Sequence, residues 1–165
     1  MNQRVLPAPR QLVRAFTRRA LLAGWLALAA LAPAHAADGM TAVKSPHSVK
    51  ETVDRLETAA KARSLVVFLR VDHAAGAQKI GRSPRPTELI VFGNPQGGTP
   101  LMECAQSAGI DLPLKALAWQ DESGQVWLGY NEPQFLAVRH GAANCAVVPN
   151  LKKALEALAA EATKL

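Results

Sequence analysis

His73 is the residue whose surroundings in the sequence best suit chemistry, because it directly follows Asp72 at the end of an apolar segment. An imidazole that a carboxylate orients can act as a general base or bind a metal. Consecutive residues of a strand point to opposite sides, however, so Asp72 and His73 would not face one another. Three interpretations stay open: His73 fixes a turn by bonding a backbone carbonyl, it contacts a ligand, or it works with Asp72 or Glu88 in acid–base catalysis. The sequence therefore assigns no catalytic residue.

The two cysteines, Cys104 and Cys145, are the second group able to do chemistry. An even pair in an exported protein predicts a disulfide, which typically contributes about 2–4 kcal/mol to stability. Alternatively, Cys104 and Met102 could bind a soft metal or do redox chemistry together with a histidine, although such a thioether more often fills a core. His47 and His140 lie at predicted helix boundaries, and no spacing brings three or four ligands together. We therefore predict no metal site.

A polar turn supplies further candidates for ligand binding. The segment after Gly93 contains Asn94, two more glycines and Thr99, and Pro100 follows directly. Thr99 suits a helix N-cap and Pro100 the first helical position, so a helix should start there with free N–H groups that can bind an anion. The alternative is a tight strand-to-helix connection without a ligand. Arg85, between two prolines, could contact the same anion or be a solvated loop charge. The candidate ligand-binding residues are His73, Arg85, Asn94 and Thr99.

A predicted strand, Thr87–Phe92, positions these residues. Its side chains are apolar on both sides, which favours a strand inside a sheet rather than at its edge. Proline precedes it and Gly93-Asn94-Pro95 ends it. A second apolar run, Leu65–Val71, predicts another buried strand, and this one ends at Asp72-His73.

Two amphipathic helices and a hairpin complete the predicted fold. Ser48 and Glu51 form a capping box at the start of a helix that ends near Arg63, and a second helix follows Pro149. Further strands are expected at 40–44, 114–120 and 125–131, the last two as a hairpin. Short helices are expected at 100–108 and 134–140. The pattern predicts an α+β fold, a largely antiparallel sheet with helices on one face, in a single domain of residues 37–165.

Residues 1–36 have the features of a cleavable export signal. Five arginines and no acid precede or enter an apolar run, Ala20–Ala32, that is too short to span a bilayer. Ala34-His35-Ala36 is a typical cleavage site, so cleavage should fall near Ala36. The pair Arg18-Arg19 resembles a twin-arginine export motif, with an ordinary secretory signal as the alternative. We expect a periplasmic or secreted protein whose mature form has no membrane anchor.

Most of the net charge belongs to this signal. The formal net charge is +6, but five of the 19 basic residues lie in residues 1–36, and the other 14 against 13 acids leave +1. Nucleic-acid binding therefore has no support in the composition.

Several segments together resemble the family known as domain of unknown function 302. They are Ser48–Leu56, Val71–Ala74, Arg85–Pro95, Gly98–Met102, Asp111–Pro113 and Val126–Tyr130. The resemblance covers roughly residues 40–141. It implies a fold similar to the TATA-binding-protein-like class, with a β-α-β4-α arrangement, and a homodimer; it implies no established reaction and leaves any cofactor unknown. The chain departs from the family at Arg63-Ser64, where glycine is usual, and at its two cysteines.

We favour a non-enzymatic module that holds a small molecule or anion near His73, Asn94 and Thr99. One alternative is a hydrolase or isomerase that uses His73 with a carboxylate. Another is a redox or metal-handling protein that uses Cys104, Met102 and a histidine. Three aromatic residues of the hairpin line a pocket, form a dimer interface or pack in the core: Trp119, Trp127 and Tyr130.

Overall fold

The computed structural model describes residues 37–165, and the predicted export signal lies outside the described residues. Five strands and five α-helices follow one another along this part of the chain. The strands are β1 (Met40–Ser45), β2 (Val66–Asp72), β3 (Thr87–Gly93), β4 (Leu114–Gln120) and β5 (Val126–Asn131). The helices are α1 (Val49–Ala62), α2 (His73–Gln78), α3 (Pro95–Cys104), α4 (Pro133–Arg139) and α5 (Val148–Thr163), with a 3-10 turn at Gln106–Ile110.

The strands form one antiparallel sheet in the order β1-β5-β4-β3-β2. Alternate residues of the sheet, among them Ile90 and Phe92 of β3, share one apolar core with the buried sides of α1 and α5. Since β3 lies between β2 and β4, its side chains are covered, and Phe92 is only 1% exposed. The predicted α+β architecture and the interior position of β3 are confirmed.

The prediction that β2 is buried was wrong, because among residues 37–165 β2 is an edge strand that pairs with β3 alone. Its apolar side chains remain largely in solvent: Val66 is 52% exposed, Phe68 55% and Leu69 47%. The register with β3 shifts between Val67 and Leu69, so Phe68 has no direct partner. An apolar run indicates that a segment forms a strand. How many strands pair with it depends on residues far away in sequence, so the run alone does not predict burial.

Helix α3 begins five residues before the predicted start, and the predicted Thr99 cap is wrong. The N-cap is Asn94, whose side-chain oxygen accepts a hydrogen bond of 2.9 Å from the backbone N–H of Gly97. Thr99 lies inside the helix and is exposed. Asn94-Pro95 and Thr99-Pro100 each consist of a favoured N-cap residue followed by a proline, so both are typical helix starts. The helix begins at the earlier of the two.

The ends of α1 are fixed by local bonds. Ser48 caps the start by accepting 3.2 Å from the N–H of Glu51. The Glu51 carboxylate does not bond back to Ser48 but pairs with His47 Nδ1 at 3.1 Å. The Ser48 half of the predicted capping box is therefore present, and the Glu51 half is not. At the other end the chain leaves the helix after Arg63 through Ser64, whose φ is +57°.

The hairpin aromatics divide between the two faces of the sheet. Tyr130 is 4% exposed and belongs to the core shared with the helices. Trp119 and Trp127 are opposite each other in the register and point to the other face. Gly129 makes room for the Trp119 ring, since an added Cβ would lie 2.8 Å from it. Within residues 37–165, no helix is both long and apolar enough to cross a bilayer.

Candidate functional site

The four predicted ligand-binding residues lie at two opposite ends of the sheet. His73 and Arg85 flank the end where Asp72 of β2 pairs with Glu88 of β3. Asn94 and Thr99 follow the other end of β3. Six residue steps of about 3.3 Å separate Glu88 from Asn94, or about 20 Å. The structure therefore does not bring these four residues together around one ligand.

His73 is exposed and starts α2. The neighbouring Asp72 carboxylate accepts 2.8 Å from the N–H of Ala75 and so caps that helix. Glu88 is bound by the guanidinium of Arg70 at 2.7 Å. In the part of the chain that the structure describes, no ion pair or side-chain hydrogen bond joins His73 to a carboxylate.

Arg85 holds a loop rather than lining a cleft. Its Nε donates 3.2 Å to the carbonyl oxygen of Gln120, and its guanidinium lies 3.7 Å from the exposed Glu122 carboxylate. These contacts tie the segment before β3 to the β4–β5 hairpin.

A cavity of about 600 Å³ opens at the other end of β3, between the strand end, α3 and α5. Asn94 and Thr99 line it, and so does Met102. Its remaining lining is predominantly apolar and comes from three further parts of the chain: Leu65 before β2 and Phe68 in it, Leu112 before β4 and Leu114 in it, and Leu151, Ala154 and Leu158 of α5. Among the described residues, none that lines the cavity is charged.

Two glycines allow α3 to form a wall of this cavity. An added Cβ at Gly97 would lie 3.3 Å from the Leu151 side chain, and one at Gly98 would lie 3.5 Å from Leu112. Both glycines lie inside α3 and not in a turn before it.

A disulfide joins Cys104, at the end of α3, to Cys145, in the segment before α5. The two Cα atoms are 6.0 Å apart. The bond thus links the two helical walls of the cavity. A disulfide sulfur is not a thiolate, so Cys104 in this bond is not available to bind a metal with Met102, as the redox or metal-handling alternative requires. Residues 37–165 also contain no group of three or more His, Cys, Asp or Glu side chains placed to hold a metal ion.

Arg70 is the centre of the strongest charge cluster in the described chain. Its guanidinium lies 2.7 Å from Glu88, 2.8 Å from Asp54 and 2.9 Å from Glu57. The hydrogen bond to Glu88 contributes most to raising the pKa of Arg70 above its ordinary value. The pKa of Asp54 is lowered mainly by the hydrogen bond from Lys50 and then by that from Arg70. The cluster fastens β2 to α1 and β3, and its contacts are those of a structural network.

The cavity walls from α5 were missed by sequence reasoning. Leu151, Leu155 and Leu158 recur on one face of an amphipathic helix, and this periodicity equally describes residues that fill a core. Whether these leucines line a cavity or fill a core depends on how α3 packs against α5. The residues that meet there, such as Leu101 and Leu151, are about fifty positions apart in the sequence.

The family model for domain of unknown function DUF302 matches residues 41–158. The chain belongs to the DUF302 family. A solved structure of an uncharacterised DUF302 protein from Bacillus stearothermophilus has the same fold, with a TM-score of 0.69 and 22% identity. It is covered completely by this chain, and the likeness spans 78% of the chain.

Proteins from two Brucella species share a closer likeness in sequence. Fluoride-specific ion channel FluC 1 of Brucella suis is 54% identical over 102 residues, which is 62% of this chain and 40% of the relative. FluC 1 of Brucella abortus has the same identity over 38% of its length. This DUF302 chain thus spans about two fifths of the curated relatives it matches.

Proposed function

We propose that this DUF302 domain binds a small ligand in the apolar cavity between β3, α3 and α5, and that the cavity itself does no catalysis. Its volume of about 600 Å³ falls within the range of about 300–1,000 Å³ that is usual for small-molecule sites. Apolar side chains supply most of the lining, and Asn94, Thr99 and Asn150 add a few polar groups. Such a lining binds an apolar body by removing it from water and orients it through a few polar contacts. The cavity is the observation that carries this proposal.

The ligand class we infer is a small molecule with an aliphatic or aromatic body and an uncharged polar end. A charge inside the cavity would lose its hydration without gaining a charged partner, because none of the lining residues is charged. The uncharged lining therefore favours an apolar ligand over the small anion that the sequence suggested.

A fluorescent probe tests the site directly. The protein is titrated with the uncharged fluorophore N-phenyl-1-naphthylamine, and bound probe is displaced with decanol or decanoate. We expect displacement by both, with decanol the stronger competitor because the cavity has no cationic partner for a carboxylate.

Two alanines of α5 provide a matched pair of variants. Ala154 lines the cavity, whereas Ala157 is exposed on the same helix outside it. Ala154→Phe should fill the cavity and abolish probe binding, and Ala157→Phe should leave it unchanged. Equal binding by both variants, or no binding to the unmodified protein, would refute the proposal.

We further propose that residues 1–36 direct export and that the domain works outside the cytoplasm. The disulfide supports this location, because such bonds persist in oxidising compartments. N-terminal sequencing of the periplasmic protein should begin at Ala37. Arg18→Lys with Arg19→Lys should block export by the twin-arginine route and leave ordinary secretion intact. Retention of an uncleaved chain in the cytoplasm would contradict the proposal.

A second copy of the chain is the partner we propose for the β2 edge. The edge carries unpaired backbone groups and exposed Val66 and Leu69, and an uncovered apolar edge pairs readily with another strand. Antiparallel pairing across a two-fold axis would also place the basic start of one β2, at Arg63, beside the acidic end of the other, at Asp72. Opposite charges therefore meet at both ends of the interface.

Light scattering after size exclusion measures this association. Leu69→Lys on the edge should shift the dimer towards monomer, and Ile110→Lys, which changes a 74% exposed residue of the 3-10 turn, should not. A monomeric unmodified protein, or a Leu69→Lys variant that stays dimeric, would exclude this interface.

A second candidate function is an accessory module of a fluoride channel. The observation that favours it is the 54% identity, over 102 residues, to proteins named fluoride-specific ion channels. Fluorine-19 NMR of sodium fluoride with the exported protein should then show line broadening that sodium chloride does not compete away. Unchanged fluoride spectra at saturating protein would leave the apolar-ligand proposal as the sole candidate.

A further inference from the structure

Three side chains that the cavity does not use form a Ser–His–Asp arrangement. Ser107 lies on the 3-10 turn, Asp111 directly follows it, and His140 ends α4. The Ser107 hydroxyl is 3.0 Å from His140 Nδ1, and His140 Nε2 is 2.7 Å from an Asp111 carboxylate oxygen. Ser107 and His140 do not line the apolar cavity.

The chemistry of the three groups fixes the direction of both hydrogen bonds. An ionised carboxylate can only accept, so Nε2 of His140 must carry the hydrogen that points to Asp111. In a neutral imidazole Nδ1 then has a lone pair, and the Ser107 hydroxyl must donate to it. Arg139 holds the other Asp111 oxygen at 3.2 Å, which keeps the carboxylate in this position.

The imidazole and the hydroxyl that it would activate differ in their exposure to solvent. The His140 side chain is 7% exposed and that of Asp111 15%, whereas Ser107 is an exposed residue. A sheltered imidazole with one nitrogen anchored keeps its orientation, and the hydroxyl in front of it remains open to solvent. In the usual Ser-His-Asp template the carboxylate bonds Nδ1 of the histidine and the serine bonds Nε2. Here Asp111 bonds Nε2 and Ser107 bonds Nδ1, so the two nitrogens are exchanged while the three side chains keep the same roles.

We propose that Ser107 is a nucleophile that His140 activates as general base, with Asp111 as a positioning residue, and that its substrates are small carboxylic esters. Ser107 Oγ attacks the ester carbonyl and its proton passes to His140 Nδ1. The carbon–oxygen bond of the ester breaks, and the leaving alkoxide takes that proton as an alcohol. Water, deprotonated by the same nitrogen, then releases the carboxylic acid and restores the Ser107 hydroxyl. Small esters are the class that fits, because an exposed hydroxyl outside the cavity can recognise little beyond the reacting acyl group.

Covalent labelling tests the nucleophile on the full exported chain. The protein is incubated with a fluorophosphonate probe, the modified residue is located by peptide mass spectrometry, and hydrolysis of p-nitrophenyl acetate is followed in parallel. We expect modification at Ser107 and its loss in Ser107→Ala, which removes only an exposed hydroxyl. Since general-base assistance is worth roughly 10²–10⁴-fold, His140→Gln should slow hydrolysis by at least about 100-fold.

Two controls separate this role from a structural one. Ser123 is an exposed serine that bonds Asp121 without a histidine, so Ser123→Ala should leave labelling and hydrolysis unchanged. Asp111→Asn should lower kcat for p-nitrophenyl acetate and leave KM unchanged, because Asp111 orients the base and does not touch substrate. An unmodified Ser107 in the unaltered protein, or hydrolysis that persists in Ser107→Ala, would overturn the proposal.

Discussion

Ser64 occupies the position where the end of α1 most favours glycine. Its N–H donates to Lys61 and the N–H of Leu65 donates to Ala60, both at 3.0 Å, which is the Schellman pattern of a helix end. This pattern requires a left-handed residue, and Ser64 has a φ of +57°. The Ser64 side chain therefore lies where the backbone is strained.

Ser64→Gly should stabilise the protein by about 0.5–1 kcal/mol. The left-handed conformation costs a residue with a Cβ about 1–2 kcal/mol, whereas glycine loses about 0.5–1 kcal/mol more through backbone entropy on folding. Urea denaturation measures the difference. Ser83→Gly is the matched control, since Ser83 lies in an exposed loop without positive φ and its change should stabilise nothing. Equal effects of the two changes would contradict the explanation.

Asp121 organises the turn between β4 and β5. One carboxylate oxygen accepts from the Ser123 hydroxyl at 2.6 Å and from the N–H of Gln125 at 3.0 Å. The other accepts 2.7 Å from the indole N–H of Trp127. The hydrogen bond from Ser123, followed by that from Trp127, lowers the pKa of Asp121 to about 2.

The Trp127 indole N–H should report this titration in nitrogen–proton NMR spectra. Because the folded pKa is depressed, the ionised carboxylate stabilises the hairpin above the unfolded value of about 3.9, and this contribution is lost as pH falls towards about 2. We expect the Trp127 resonance to shift with a midpoint near pH 2, and the Trp119 indole, which bonds no carboxylate in the described chain, to shift little. A Trp127 midpoint close to pH 4 would show that the carboxylate is not held in this way.

At the scale of elements, the edge strand β2 depends on one charged side chain. Arg70 is its sole residue bonded to carboxylates of both α1 and β3. Glu88 is 12% exposed, so a lost partner would leave a sheltered negative charge beside two others.

Arg70→Gln should therefore destabilise the protein by about 1–3 kcal/mol, below the 3–5 kcal/mol of a fully buried pair because water screens part of the cluster. Lys50→Gln is the matched control: within residues 37–165 Lys50 pairs with Asp54 alone and its side chain is 78% exposed, so its loss should stay within about 0.5 kcal/mol. Chemical denaturation at low and high salt measures both changes. Similar losses for the two variants would show that the cluster has no special role.

Secondary-structure elements differ in how well the sequence predicts them. Periodicity and turn residues located β1, α1, β3, the β4–β5 hairpin and α5, because these signals act over a few neighbouring residues. The exposure of β2, the start of α3 at Asn94 and the site around His140 depend instead on which distant segments meet. Ser107 and His140 are 33 positions apart, and no local pattern marks such a pair.

Residues 37–165 as a whole form a sheet layer packed against a helix layer, and the cavity lies between the end of β3, α3 and α5. Gly97 leaves room for the Leu151 side chain beside α3, and the bond from Cys104 to Cys145 ties the end of α3 to the segment before α5. The covalent link closes a loop with a sequence separation of 41, so its removal frees the unfolded chain considerably.

Cys104→Ala with Cys145→Ala should lower the free energy of unfolding by about 2–4 kcal/mol, the usual contribution of a disulfide. The variant should also bind N-phenyl-1-naphthylamine more weakly, because α3 is no longer tied to the segment that leads into α5 and the cavity loses a fixed wall. Urea denaturation and probe titration with and without a reductant measure both effects. The reductant should weaken the unmodified protein and leave the double variant unchanged. Lower stability with undiminished probe affinity would mean that the disulfide stabilises the fold without shaping the cavity.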